Sequence, residues 1–160
     1  MNKNNVLVHK IHGLCEIIDE IEMGGKKYFK VRVFNESSLI IYCPLDKKDE
    51  ILRPLLTKDE ADDLLRYMKT ITEVEYDFSK KRRTLFKEMY YSGDIKNIAY
   101  LARVLFLLKE YKKEKNQDLG LEDNKIFENA SKMLHDEFAV VFDINRENIE
   151  EFINKRIEKL

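Results

Sequence analysis

The stretch from Leu39 to Leu65, LIIYCPLDKKDEILRPLLTKDEADDLL, decides the fold, because it closes a β-rich run and opens a helical one. Leu39 to Cys43 is a short strand of β-branched and aromatic residues, and Pro44, which lacks an amide donor, is expected to stop its ladder. Thr57 then opens a helix. Its hydroxyl can accept from the amide of Glu60 while the Glu60 carboxylate reaches back to the amide of Thr57, a reciprocal capping box. Ala61, Leu64, Leu65 and Met68 follow at helical spacing.

Upstream, from Val6 to Pro44, apolar runs alternate with turn signals at His12-Gly13, Gly24-Gly25 and Asn35 to Ser38, which predicts about four antiparallel strands in a small β-barrel or curled sheet. The exposed edge of such a sheet can accept a strand from a partner. Downstream of Pro54 there is no further proline, and the periodicity predicts five helices. The second runs roughly from Ser79 to Tyr90. The third, capped by Ser92 or Asp94, carries Ile95, Ile98, Ala99, Ala102, Leu105 and Phe106 as its core face, and Leu101, Val104, Leu107 and Leu108 widen that face enough to make the helix central. The fourth carries Ile126, Ala130, Met133, Leu134, Phe138 and Val141; the fifth begins near Asn145. The fold class is therefore α+β, with a β module over residues 1–55 and an all-helical domain over 56–160.

An apolar share of 44% in 160 residues is enough for real cores. No run of about 18 apolar residues is present, and the N-terminus lacks a signal-like apolar stretch, so no membrane contact and a cytoplasmic location are expected. Cys15 and Cys43 both lie in strand-like apolar contexts and are expected to be buried thiols. The net charge of −1 conceals a segregation: residues 76 to 115 carry 11 basic and 5 acidic side chains, whereas residues 116 to 160 carry 6 and 11. One modest basic patch, rather than a chain-long nucleic-acid surface, follows from that distribution.

His9, His12 and Cys15, with Cys43 as a fourth ligand, form a spacing that could hold zinc. In an extended strand, however, residues three apart point to opposite faces, so no metal site is expected. There is no G-x-S-x-G elbow and no glycine-rich phosphate loop, so neither an enzyme nor a cofactor is expected. Asp62-Asp63 and Glu150-Glu151 read as solvated helix faces. The cluster Lys80, Lys81, Arg82, Arg83 and Lys87, after Tyr76 and Phe78, admits two readings, a solvated face or a stripe along a phosphate backbone. Helical spacing puts Lys80, Arg83 and Lys87 on one side.

The order of these features, with HGLCEI at 12–17, YFKVRV at 28–33, Ser92-Gly93-Asp94 before a helix and A-x3-L-x2-EFAVVFDI at 130–144, resembles the CarD family of bacterial transcription regulators, in its Gram-positive form. The resemblance implies a Tudor-like N-terminal module that binds the β subunit of RNA polymerase by strand-edge pairing, through Ile21, Met23, Ile40 and Tyr42. It also implies a helical domain lying on promoter DNA through Phe78, Lys80, Lys81, Arg82, Arg83 and Lys87, in a nucleoid-associated protein. No heptad pattern or long apolar seam demands a dimer, so a monomer is expected. Family members place a Trp as a wedge at the edge of the melted promoter. This sequence has no Trp. Phe78 stands nearest to that position, with Tyr76 as a second candidate. The alternative that the missing Trp and the acidic C-terminal third favour is an adaptor that binds polymerase or another protein and never touches DNA.

Overall fold

The computed structural model describes residues 5–36, 39–73 and 80–160. The chain divides into two compact units, Met1–Leu56 and Thr57–Leu160. The first is a five-stranded antiparallel sheet made of β1 (Val6–His9), β2 (Gly13–Met23), β3 (Lys26–Val33), β4 (Ile40–Pro44) and β5 (Leu52–Pro54), with a short helix α1 (Lys48–Ile51) before β5. The strand order is β4-β3-β2-β1-β5, so among the described residues β4 and β5 are its two edges.

Two details differ from the sequence expectation. Pro44 closes β4 opposite Tyr28 instead of lying beyond it, a position that an edge strand tolerates because the missing amide can face away from the ladder. Leu52–Pro54 adds a fifth strand by pairing with Leu7 to His9. A three-residue strand shows no alternation long enough to read, and its partner lies some forty residues back in the sequence.

Alternation along the strands places Cys15, Val31, Val33 and Cys43 on one face, where together with Leu52 they form the buried cluster of the unit. Ile17, Phe29 and Ile41 pack against it. The bulge between Ile17 and Asp19 then changes which β2 residues face the core. Strict alternation from Cys15 and Ile17 would carry Asp19 and Ile21 inward. The extra residue at Ile18 instead pairs Asp19 with Lys30 and Ile21 with Tyr28, so both fall on the opposite face.

The second unit consists of α2 (Lys58–Thr70), α3 (Lys80–Tyr91), α4 (Ile95–Glu114), α5 (Leu121–Val141) and α6 (Ile149–Lys159). Helix α2 opens with the expected capping box: the Glu60 amide donates to Thr57 Oγ1 at 3.1 Å and the Thr57 amide to Glu60 Oε1 at 3.0 Å. Asp94 caps α4, its carboxylate accepting from the Lys96 amide at 2.8 Å. Gly93, at φ 71°, makes the reversal between α3 and α4 that a residue with a Cβ would resist.

Helix α4 is the centre of the unit. Ile98, Leu101, Leu105 and Leu108 are fully buried, and Ala99, Ala102 and Val104 complete a surface packed on several sides. Phe106, expected in the core, is 43% exposed, because the widened apolar surface of α4 exceeds what its neighbours cover. Helix α5 contributes Ala130, Leu134, Phe138 and Val141, and α6 contributes Ile149 and Ile153.

Buried carboxylates are the main departure from the sequence reading of this unit. Asp62, expected on a solvated face, is buried and receives both arms of Arg156 at 2.5 and 2.7 Å. That guanidinium also lies over the Phe142 ring at 4.7 Å, and its hydrogen bonds hold the Asp62 carboxyl below the usual carboxylate range. Asp136 is likewise buried and accepts from Lys132 at 3.0 Å and Arg146 at 2.6 Å. These pairs join α2 to α6 and α5 to the turn before α6, so each buried carboxylate has a cationic partner.

Candidate functional site

The register of the sheet brings the four candidate partner-binding residues of the first unit onto one face. Across the strands, Ile40 stands opposite Arg32, which stands opposite Glu16; Tyr42 opposite Lys30, opposite Asp19; and Pro44 opposite Tyr28, opposite Ile21. Residues directly across a ladder share a face. Ile21, Met23, Ile40 and Tyr42 therefore lie together with Tyr28 on the side away from the buried cluster. Met23 and Tyr42 are each 46% exposed, and Ile21 and Ile40 are half-buried. The Arg32–Glu16 ion pair, Lys30 and Asp19 share this face, with Arg32 beside Ile40 and Lys30 beside Tyr42 on the middle strand. Apolar and charged side chains therefore alternate across the surface, which runs to the β4 edge.

The histidine and cysteine cluster is put to another use. His9 Nδ1 accepts the amides of Ile11 at 3.1 Å and His12 at 3.2 Å, closing the turn between β1 and β2. Burial, and to a lesser extent the neighbouring His12, lowers the His9 pKa to about 4, so the ring stays neutral and keeps its acceptor. Burial raises the Cys15 thiol to about 11, which makes it an unreactive core residue. Among the described residues no three His, Cys, Asp or Glu side chains group as metal ligands.

On the helical unit, the basic cluster separates into cations with different roles. Lys80 opens α3, and Phe78 and Tyr76 lie outside the described residues. Lys81 and Arg83 are exposed and, among the described residues, form no ion pair. Lys87 is exposed and meets Glu122 at 3.3 Å. Arg82, in the same cluster but outside the expected stripe, turns inward. Its side chain is 10% exposed, donates from Nη2 to Asp123 Oδ2 at 2.8 Å and lies over the Phe86 ring, with the Asp123 side chain 9% exposed. The reason is helical phase: Arg82 falls four residues before the buried Phe86, on the inward face of α3, where a charge requires a partner.

Residues 63–154 match the family model described as the CarD C-terminal domain. The chain belongs to the CarD family. The match covers more than half of the sequence and most of the helical unit, and it makes this a transcription-related protein of a generally non-enzymatic family. No curated protein matches the chain. No described helix is long and apolar enough to cross a membrane. Within the CarD domain the start of α3 is held by Arg82 and Asp123 against the start of α5, and these two ends, with the C-terminal part of α4, enclose a hollow of about 310 Å³. Arg83, Lys112 and Leu121 line it. Sequence reasoning missed the α5 side of this hollow, because Leu121 reads as one more apolar residue of a helix start. Its exposure of 93% is visible only in three dimensions.

Proposed function

We propose that this CarD-family protein regulates transcription without catalysis, by binding RNA polymerase through the β unit and promoter DNA through the helical unit. The observation that carries the first contact is the shared face of Ile21, Met23, Ile40 and Tyr42 beside β4, an edge strand among the described residues. Strand addition at that edge supplies main-chain hydrogen bonds, and the apolar face supplies side-chain selectivity for the polymerase β subunit. The contact with DNA rests on Lys81, Arg83 and Lys87 along the exposed side of α3. Arg82 acts there as a positioning residue: through Asp123 it fixes the orientation of the helix that presents the other cations.

A protein that binds the open promoter complex better than the closed one shifts their populations by the difference in its affinities, and no further mechanism is required. The competing reading is an adaptor whose helical unit binds another protein. The ion pair between Lys87 and Glu122 favours it, since it removes one cation from the stripe. Reversing Lys81 and Arg83 to Glu separates the two. In the DNA-binding case affinity for promoter DNA is lost and its salt dependence falls by about one unit of slope per phosphate contact removed. In the adaptor case binding is unchanged.

A further inference from the structure

A second hollow of the helical unit, of about 570 Å³, is bounded by α5 and α6, with the end of α2 and one turn of α4 at its margins. Its buried lining is wholly apolar: Ala102, Leu134, Phe138 and Ile153 are each no more than 7% exposed. Phe106, which the packing of α4 leaves 43% exposed, stands in its wall. We infer that this groove receives one amphipathic α-helix of a partner protein, apolar along one face, with acidic residues on one flank and basic residues on the other. Among the described residues none of α3 lines it, so the site is distinct from the cations assigned to DNA and stands or falls independently of that reading.

Length and charge select this occupant. The lining runs from Phe127 to Phe138 on α5 and from Glu150 to Glu158 on α6, which at about 1.5 Å per residue makes walls of roughly 16 and 12 Å. Apolar anchors at i, i+4 and i+7 of an entering helix span about 10 Å, so two helical turns fit along these walls. The rim is of mixed sign: α2 and α4 bring Lys69 and Arg103, and α6 brings Glu150 and Glu158. Lys69 Nζ donates to the Ile157 carbonyl at 3.3 Å and Arg103 Nε to the Ile71 carbonyl at 3.1 Å, so both cations are positioned by backbone groups, and among the described residues neither is paired with a carboxylate. A small anion or a nucleic acid entering the groove meets the two carboxylates of α6, whereas a helix with charges of both signs complements both sides of the rim. Arg103 also lies over the Phe106 ring at 5.9 Å, and Met68 shares the lining; these residue types are the ones enriched at protein interfaces.

The test measures fluorescence anisotropy of the full chain with three labelled peptides of about 14 residues, lactam-bridged because isolated helices of that length are marginal in water. All carry Leu or Phe at i, i+4 and i+7; one has an acidic and a basic flank, one has two acidic flanks and one has two basic flanks. Wild type is expected to bind the mixed peptide about tenfold more tightly than either of the others. Phe106→Glu, at an exposed position, is expected to weaken the mixed peptide about tenfold with the melting temperature kept. Glu158→Lys, an exposed charge reversal at the end of α6, should lower affinity for the mixed peptide and raise it for the one with two acidic flanks, a change of preference that loss of fold does not produce and that decides the matter if Phe106→Glu does not fold. Binding of none of the three peptides by wild type, or undiminished binding by folded Phe106→Glu, overturns the inference. Self-association of wild type in sedimentation that Phe106→Glu abolishes also overturns it, since the groove then holds a second copy of this chain.

Discussion

The two units distribute their chemistry in opposite ways. In the β unit the period of the strands divides labour cleanly: Cys15, Val31, Val33 and Cys43 face the buried cluster, and Ile21, Met23, Ile40 and Tyr42 face away from it. Of the second set, Met23 and Tyr42 are exposed and so accessible to a partner. In the helical unit the same residue types do both jobs. Of the basic cluster on α3, Arg82 holds the fold through Asp123 while Lys81 and Arg83 face solvent. A sheet separates structure from surface by alternation, whereas a helix with a wide apolar face draws some of its charges into the interior and must pair them there.

The largest effect that would sharpen this contrast is the loss of Asp123. Asp123→Ala leaves Arg82 buried without its carboxylate and is expected to destabilise the helical unit by about 3–5 kcal/mol, as removal of one partner of a buried pair does. Replacing both, Arg82→Met with Asp123→Leu, should recover most of that stability. Hydrogen exchange measured by unit is the appropriate readout, with the α3 and α5 amides losing protection while the β-sheet amides keep theirs. Equal loss in both units would contradict the division.

A smaller, pH-driven effect belongs to the β unit. His9 titrates at about 4 in the folded chain against 6.5 ordinarily, because burial disfavours its charged form. The unfolded chain therefore takes up this proton at a higher pH than the folded one. The contribution of neutral His9 is full above pH 6.5 and is lost as pH falls through about 4, up to roughly 3 kcal/mol. Denaturant unfolding of the β unit at pH 7 and pH 4.5, compared with a His9→Asn variant, measures it; the pH dependence should shrink in the variant. His135 in the helical unit shifts in the same direction, with burial the main cause, so the comparison requires unit-resolved probes.

The smallest effect is at Glu122. Its pair with Lys87 is exposed on both sides, so Glu122→Gln should change stability by less than about 1 kcal/mol. It should nevertheless raise DNA affinity modestly by freeing Lys87 for a phosphate, which equilibrium binding at two salt concentrations would detect. A large stability loss would show that the outer charges of α3 are structural too.

Much of this was legible in the sequence, and the exceptions have physical causes. The capping box at Thr57 and Glu60, the cap at Asp94 and the central α4 could be read because short-range hydrogen bonding and helical period dictate them. The outward face of Ile40 and Tyr42 follows from alternation. That of Ile21 depends on the bulge at Ile18, which shifts the phase of β2 and leaves no mark in the residue pattern. The burial of Asp62, Arg82 and Asp123 was not legible, since each is paired with a residue more than forty positions away. Leu121 was missed for the complementary reason: an apolar residue at a helix start reads as core until its surroundings are known.

The central claim is that the face shared by Met23 and Tyr42 binds RNA polymerase. Its most direct test is the affinity of the full chain for polymerase core, with and without promoter DNA, for wild type and for Met23→Glu with Tyr42→Ala. Both side chains are exposed, so stability should move by no more than about 0.5 kcal/mol per substitution. Wild type is expected to bind core and to bind more tightly when promoter DNA is present, while the double variant loses core binding and keeps its fold. Undiminished binding by the double variant, or no binding of wild type to core, would contradict the claim.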